Sequence, residues 1–458
     1  MDLSRPPPLT YDRRPEVCVV LSAAVRTGLL HEDDPAALFF DLDYLDERSA
    51  ALHVAFASTN HGGGRLHCVA VKACPLRGIL VAAAALGLGA ECASFVELNH
   101  ALSCGFAPST IMFDSPSKTL RELRFCIDRG IAMNCDSLGE VERVAAVVDE
   151  ALASPTSPLV DLATLRVGLR VNPAVGVGTI ASSSTATLTS KFGVAIDDPA
   201  VLAAYEAHAW LNGLHSHVGS QSMAMEQLVE GVRATATLAS EIIARGSTLK
   251  FVDIGGGLRV NYDGPNDAPT FAAYAEALRE SGVWSTLDRS GLTIVTEFGR
   301  ALVAKMGWTA SLVESTKCAG GRRIATVHLG ADCFVRTCYL PSQWALHVTV
   351  HTAGGAPKSA GVSDEDDGRE EWDIAGPLCF SGDLIAVKRL LPPLTRGDLV
   401  VIHDTGGYCL SMWSRYNSRR SPACYTYRRS AVGGANSAES LRCIRERETV
   451  EQVAAFWG

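Results

Sequence analysis

The chain is 458 residues long, 47% hydrophobic and 20% charged, with a formal net charge of −9. That length allows two or three domains, and the balance is globular rather than disordered. The acidic charge offers no broad footprint for a phosphate backbone, so nucleic acid is not an expected partner.

The opening MDLSRPPPLTYDRRPEV carries Asp2 and Asp12 among its arginines with no apolar stretch behind them. That argues against a secretory or transit peptide and makes the cytoplasm the expected compartment. The longest apolar run, Gly78 to Ala90, is 13 residues, whereas a membrane-crossing helix needs about 20, so no membrane partner is expected. Two strand-like segments, Glu16 to Leu21 and Ala36 to Leu42, come first. Eight further strand candidates follow: Cys68 to Ala73, Gly89 to Ser94, Ile111 to Ser115, Ile131 to Ser137, Leu165 to Val171, Leu211 to Gly219, Phe251 to Gly255 and Leu292 to Glu297. The stretches between them, such as Ser137 to Leu152 and Met223 to Arg245, have helical spacing. Eight β-then-α units predict an α/β fold with a (β/α)8 TIM barrel over residues 46–310.

After residue 310 the strand candidates lose their helices: Ile324 to Leu329, Leu346 to Val350, Asp373 to Leu378, Asp398 to His403 and Ala423 to Tyr427. They predict a separate C-terminal antiparallel β domain over 311–458, with the N-terminal segment 1–45 lending it strands. Gly354 to Glu371 and Thr179 to Ser190 are read as polar loops. The fourteen cysteines form no CxxC pair and are scattered from Cys18 to Cys443, which predicts reduced, buried thiols and no metal site.

Barrel active sites lie where strands end at the C-terminal face. Lys72 ends the first strand, Glu91 lies in the second and Arg170 ends the fifth. His217 follows the sixth in LHSHVGSQ, Gly255, Gly256 and Gly257 follow the seventh, and Glu297, Gly299 and Arg300 follow the eighth. Singly, each has an ordinary structural explanation: a strand end reaching water, a core histidine, a tight turn, a surface ion pair. Together they place an amine, a ring, a glycine turn, an acid and an arginine on one rim. A lysine amine forms a Schiff base with an aldehyde, glycine amides approach a phosphate closely, and a carboxylate holds a pyridine nitrogen protonated. The cofactor this set describes is pyridoxal 5'-phosphate.

The motifs then become specific. VAVKAC, GAECAS, LRVNP, SKFG, HSHVGSQ, DIGGGL, EFGR, GPLCFSGD, GGYCLSM, YNSR and RERET occur in that order. The chain resembles the pyridoxal phosphate-dependent diaminopimelate and ornithine decarboxylase family, with its alanine-racemase-type barrel, and is most similar to the diaminopimelate enzymes that make lysine. The resemblance runs from about Ala36 to Glu451. It implies that Lys72 bears the cofactor, that His217 stacks on its ring, and that Ser220, the three glycines, Gly299 and Arg300 bind the phosphate. It further implies Glu297 on the ring nitrogen, Glu91 and Arg170 along the other edge, and Tyr408 closing the pocket. Cys379 would be the proton donor, reaching a homodimer partner's site, and Arg300, Arg336, Phe380 and Tyr408 would border the amino-acid substrate.

Four positions depart from the family pattern. Phe380 stands where the family has an acid that recognises a distal amine, and Leu340 stands where a tyrosine accompanies Arg336, with Tyr339 one place early. Glu91 replaces the usual aspartate, and Phe298 replaces a proline, a change expected to loosen that turn. The leading expectation is conversion of meso-diaminopimelate to lysine and carbon dioxide. The alternatives are a decarboxylase for an apolar or thioether side chain such as methionine, an amino-acid racemase, or an inactive regulatory homologue.

Overall fold

The computed structural model of the chain describes residues 15–57, 63–153, 164–287, 291–359, 368–429 and 440–458. The chain divides into two compact units. One comprises Asp46–Val260 with Asp267–Leu302, and the other Met1–Leu45, Asn261–Asn266 and Val303–Gly458.

The first strand, β1 (Ala36–Asp41), belongs to the second unit. The first unit holds β2 (Arg65–Ala70), β3 (Gly89–Cys92), β4 (Ile111–Phe113), β5 (Ala132–Cys135), β6 (Val167–Asn172), the two-residue β7 (Val194–Ala195), β8 (Leu211–His215), β9 (Phe251–Asp253) and β10 (Thr293–Phe298). They run in the order β5-β4-β3-β2-β10-β9-β8-β6, and parallel pairing of β5 with β6 closes the ring. All eight expected barrel strands are therefore present, and β7 is an addition on β6. Most positions on them are buried, as in parallel strands covered by helices outside and side chains inside. Cys68, Met112, Ala132, Phe251 and Val295 pack together in the interior. The Phe251 ring fits because a strand neighbour lacks a side chain: a β-carbon on Gly213 would lie 2.0 Å from it.

The helices begin where the local chemistry directs. Leu120–Arg129 opens on a reciprocal Thr119–Glu122 capping box and stops at Gly130, whose φ of 63° suits glycine. Leu138–Ala153 and Met225–Ala244 match the expected helical stretches to within a few residues.

The second unit is a β domain of β1, β11 (Gly307–Ala319), β12 (Arg322–Val327), β13 (Val348–His351), β14 (Glu370–Ala375), β15 (Leu384–Leu391), β16 (Leu399–Ile402), β17 (Ala423–Tyr427) and β18 (Arg442–Arg445). Its main path is β15-β14-β12-β11-β1-β17-β18, with β16 joining β11 to β13. The expectation of an antiparallel domain needs correction, because β1–β17 and β12–β14 are parallel. Parallel neighbours need long connections, and these pairs have them: the whole barrel separates β1 from β17. Glu16 to Leu21 is also corrected from strand to helix, Pro15–Arg26. Val17, Val20, Leu21 and Ala24 repeat at helical spacing and pack into the core with Phe39 and Trp308. Residues 360–367 of the expected Gly354–Glu371 loop, and residues 1–14 of the N-terminal segment, lie outside the described residues.

Candidate active site

Lys72 occupies a 3-10 turn, Val71–Ala73, that follows directly on β2. Register pairs Ala70 with Glu91 on β3, so the lysine, two residues on, reaches back to an ion pair with the Glu91 carboxylate. Glu91 is buried, whereas the Lys72 side chain is 39% exposed. The amine is thus oriented by an acid and still open to a reactant.

Across the rim, the chain after β9 makes a tight glycine turn. Gly255 has a φ of 66° and Gly257 of 98°, conformations that disfavour side chains. Space is equally short: a β-carbon on Gly256 would lie 2.1 Å from the Glu297 carbonyl oxygen, and one on Gly257 2.2 Å from that of Gly219. The Gly256 N–H donates to His217 Nδ1 at 3.1 Å, and the Glu297 N–H donates to the Gly255 carbonyl at 2.7 Å. Burial, reinforced by the Arg170 and Lys72 charges, pushes His217 well below its ordinary pKa, so its ring is neutral. The Ser220 N–H donates to the Ser183 carbonyl at 2.9 Å. Arg170 lies with its guanidinium 4.4 Å from the Phe192 ring centre and 3.8 Å from Asp136.

Arg300 is buried just after Gly299. The expected loosening at Phe298 is not what the ring does: it is 1% exposed and packs on Phe271 at 4.9 Å, Tyr274 at 6.2 Å and Phe56 at 6.4 Å. Aromatic packing thus holds this turn in place.

Three residues that the sequence reading did not single out join Glu297. One side-chain ligand atom from each of Asp114, His215, Asp253 and Glu297 lies within 4.8 Å of the others. Asp114 follows β4, His215 and Asp253 end β8 and β9, and Glu297 is next to last in β10. Their signal was available, since HSHVGSQ and DIGGGL contain two of them, but strand ends alone do not reveal which ones converge. Burial pushes all three carboxyls up and pulls His215 down to about 4.

Cys379, Phe380, Arg336 and Tyr408 belong to the β domain. Cys379 is exposed, with its N–H donating to Asn417 Oδ1 at 2.8 Å and its carbonyl accepting from Tyr416 Oη at 2.9 Å. Asp383 accepts from the Leu378 and Ala331 N–H groups at 2.7 and 2.5 Å, fixing the base of the loop. Phe380 stacks on Tyr339 with ring centres 4.8 Å apart and planes 14° apart. Arg336 lies 4.8 Å from the Trp344 ring and 5.0 Å from the Tyr408 ring. The structure therefore brings Arg336 and Tyr408 together, as it brings Phe380 and Tyr339 together.

The rim fits a phosphate-bearing aldehyde of the pyridine type. It offers one reactive amine, a glycine cradle that a single β-carbon would fill, a neutral imidazole, and a buried acid whose Oε1 has no donor among the described residues. Fold and site together define a barrel enzyme that uses pyridoxal 5'-phosphate.

The comparisons identify which one. The model for "pyridoxal-dependent decarboxylase, pyridoxal binding domain" matches residues 52–304, and the chain belongs to that family. The diaminopimelate decarboxylase of Pseudomonas aeruginosa is 30% identical over 410 residues, covering 88% of this chain and 89% of the relative. That of Pseudomonas fluorescens is 31% identical over 411 residues, with the same shares covered. The crystal structure of Helicobacter pylori diaminopimelate decarboxylase complexed with L-lysine superposes with a TM-score of 0.78 at 26% identity, covering 94% of this chain and 98% of that one. The protein is a pyridoxal phosphate-dependent carboxy-lyase acting on an amino acid. Among the described residues no helix is long and apolar enough to cross a membrane.

Proposed function

We propose that the enzyme decarboxylates meso-diaminopimelate to lysine, in the manner named for its relatives, and that it works as a cytoplasmic homodimer. The observation that carries the proposal is the coverage of nearly the whole chain by diaminopimelate decarboxylases, joined to the rim of Lys72, the glycine turn and Glu297. Arg336, held beside two rings, supports a handle for a distal carboxylate. Ten of the fourteen cysteines are buried and none is bridged, which supports a reducing compartment.

Bound at this rim, pyridoxal phosphate supplies the electron sink that lets carbon dioxide leave. In this reading Lys72 bears the cofactor through its amine, and Glu91 keeps that amine oriented. His217, neutral, would stack on the ring. Gly255 to Gly257, Ser220, Gly299 and Arg300 hold the phosphate, where backbone N–H groups and a buried guanidinium suit a dianion. Glu297 would meet the ring nitrogen, and Arg170 and Glu91 would line the opposite edge. Tyr408 would border the substrate, and Cys379 of a partner subunit would hold the proton that the α-carbon takes up.

The test is carbon dioxide release from a panel of D-, L- and meso-amino acids by the cofactor-loaded protein. Preference for meso-diaminopimelate is expected. A clear preference for methionine would shift the substrate to the apolar class that the Tyr339–Phe380 stack suits, and loss of optical rotation without carbon dioxide would indicate a racemase.

A further inference from the structure

Glu297, the buried acid that would meet the cofactor's ring nitrogen, is not alone. Glu297 Oε1 and Asp114 Oδ2 are both buried, and neither they nor Asp253 Oδ2 have a donor among the described residues, although Asp114, Asp253, Glu297 and His215 each place one ligand atom within 4.8 Å of the others'. Carboxyls so near one another and so buried do not all ionise, because like charges out of water repel and lack solvation, so at least one of them holds a proton. The question is which of them holds it.

The hydrogen bonds around the pair answer it. Asp253 accepts the Gly255 N–H at 2.9 Å through Oδ1, a bond to its charged form that partly offsets the burial raising it. Among the described residues Asp114 has no cation or backbone N–H on its carboxylate: its Oδ1 accepts from the neutral amide of Asn134 at 2.7 Å. The segment behind it is laced tight, with Lys118 Nζ donating to the Ser115 and Asn134 carbonyls at 2.7 Å each and to Glu140 at 3.0 Å. The other charged groups around the cluster are Glu91 on β3, His215 on β8, Asp253 on β9 and, at the rim, Arg170 and Lys72. Lys72 is engaged by Glu91, and Arg170 lies beside Asp136.

We propose that Asp114 is a positioning residue that carries a proton on Oδ2 and donates it to Glu297 Oε1, leaving Glu297 as the anion at the cofactor's ring nitrogen. This rests on the reading above that Glu297 meets that nitrogen. Supporting it, burial and the Glu297 charge both push Asp114 up, and although burial raises Glu297 as well, the hydrogen bond from Asp114 offsets part of that rise. A protonated Glu297 could not hold the ring nitrogen in its charged form. Asp114 thereby fixes the protonation state of the electron sink without touching it.

The test is infrared spectroscopy of the full-length protein at neutral pH, with and without cofactor. The parent should show the carbonyl stretch of a neutral carboxylic acid, shifted in heavy water, and Asp114→Asn should lose one such band. Asn, which can also donate to Glu297, should leave the pH dependence of the bound cofactor's absorbance as in the parent, whereas Asp114→Leu should shift it by about one pH unit. Absence of the neutral-acid band in the parent would overturn the proposal even if no variant folds. So would persistence of the full band in Asp114→Asn, or an Asp114→Leu titration identical to that of Asn. Loss of all Lys72-dependent cofactor absorbance with the infrared result intact would instead strike at the reading of the site.

Discussion

Gly256 lies against the backbone of Glu297 so closely that a β-carbon on the glycine would sit 2.1 Å from the Glu297 carbonyl oxygen. The residue proposed for the phosphate and the residue proposed for the ring nitrogen are thus set by one contact between adjacent strand ends. Gly256→Ala should force these backbones apart at a cost of about 1–3 kcal/mol, weakening cofactor affinity in a spectroscopic titration. Unchanged affinity would mean that the contact does not position the cofactor.

Lys72→Ala should remove both turnover and the visible absorbance of the lysine-bound cofactor, since Lys72 is the amine paired with Glu91 at the open end of β2. A variant that keeps the band would move the attachment point to another lysine.

Cys379→Ala should bind cofactor normally and fail in product formation. Mixed with Lys72→Ala and allowed to exchange subunits, it should recover about a quarter of parent activity, as random reassortment into two-fold dimers with shared sites requires. No recovery after proven exchange would place both residues in a site within one chain.

Phe380→Glu should raise kcat/KM for diaminopimelate relative to methionine by about 1–3 kcal/mol, the range for one buried polar mismatch. It breaks the Tyr339 stack and adds a partner for a distal ammonium. Arg336→Ala should penalise diacidic substrates more than neutral ones. Comparable effects on both substrate classes would remove Phe380 and Arg336 from specificity.

His67 should make the fold acid-sensitive. Burial, with the His53 and Arg65 charges, lowers its pKa to about 3, and its Nδ1 lies 2.8 Å from Thr296 Oγ1. Because the folded value lies below the unfolded one, the stabilisation is present above pH 6.5 and is lost as pH falls towards 3. One such group accounts for about 2 kcal/mol between pH 8 and pH 5. Denaturant unfolding of His67→Gln should show a correspondingly flatter pH dependence than the parent. Identical slopes would contradict it.

Much of this was legible in the chain because it is written locally. Apolar runs of strand length, separated by helical spacing, mark all eight barrel strands, and a barrel places strand ends on one rim by construction. Lys72, His217, the glycine turn, Glu297 and Arg300 were therefore picked out as candidates by position and chemistry alone. β11 escaped because its first half is buried and its second half exposed and polar, so neither a continuous apolar run nor strict alternation marks it. Glu16 to Leu21 was misread because a short apolar run cannot separate strand from helix, and the face that decides is visible only over Val17 to Ala24.

What the sequence determined by itself is the repeat of elements and which chemically capable groups stand at the strand ends, since both depend on residue type and spacing along one stretch. What only the tertiary structure decided is which groups meet. Asp114 follows a strand far from Glu297 in sequence, and nothing in IMFD marks it as that acid's neighbour. The parallel joining of β1 to β17 across the whole barrel is equally silent, because hydrogen bonding between distant strands leaves no local periodicity. The Phe298 turn, expected to loosen without proline, is held by Phe56, Phe271 and Tyr274, rings brought together from separate parts of the barrel chain. Each of these depends on burial in three dimensions, which removes water from the groups and gives their contacts their strength.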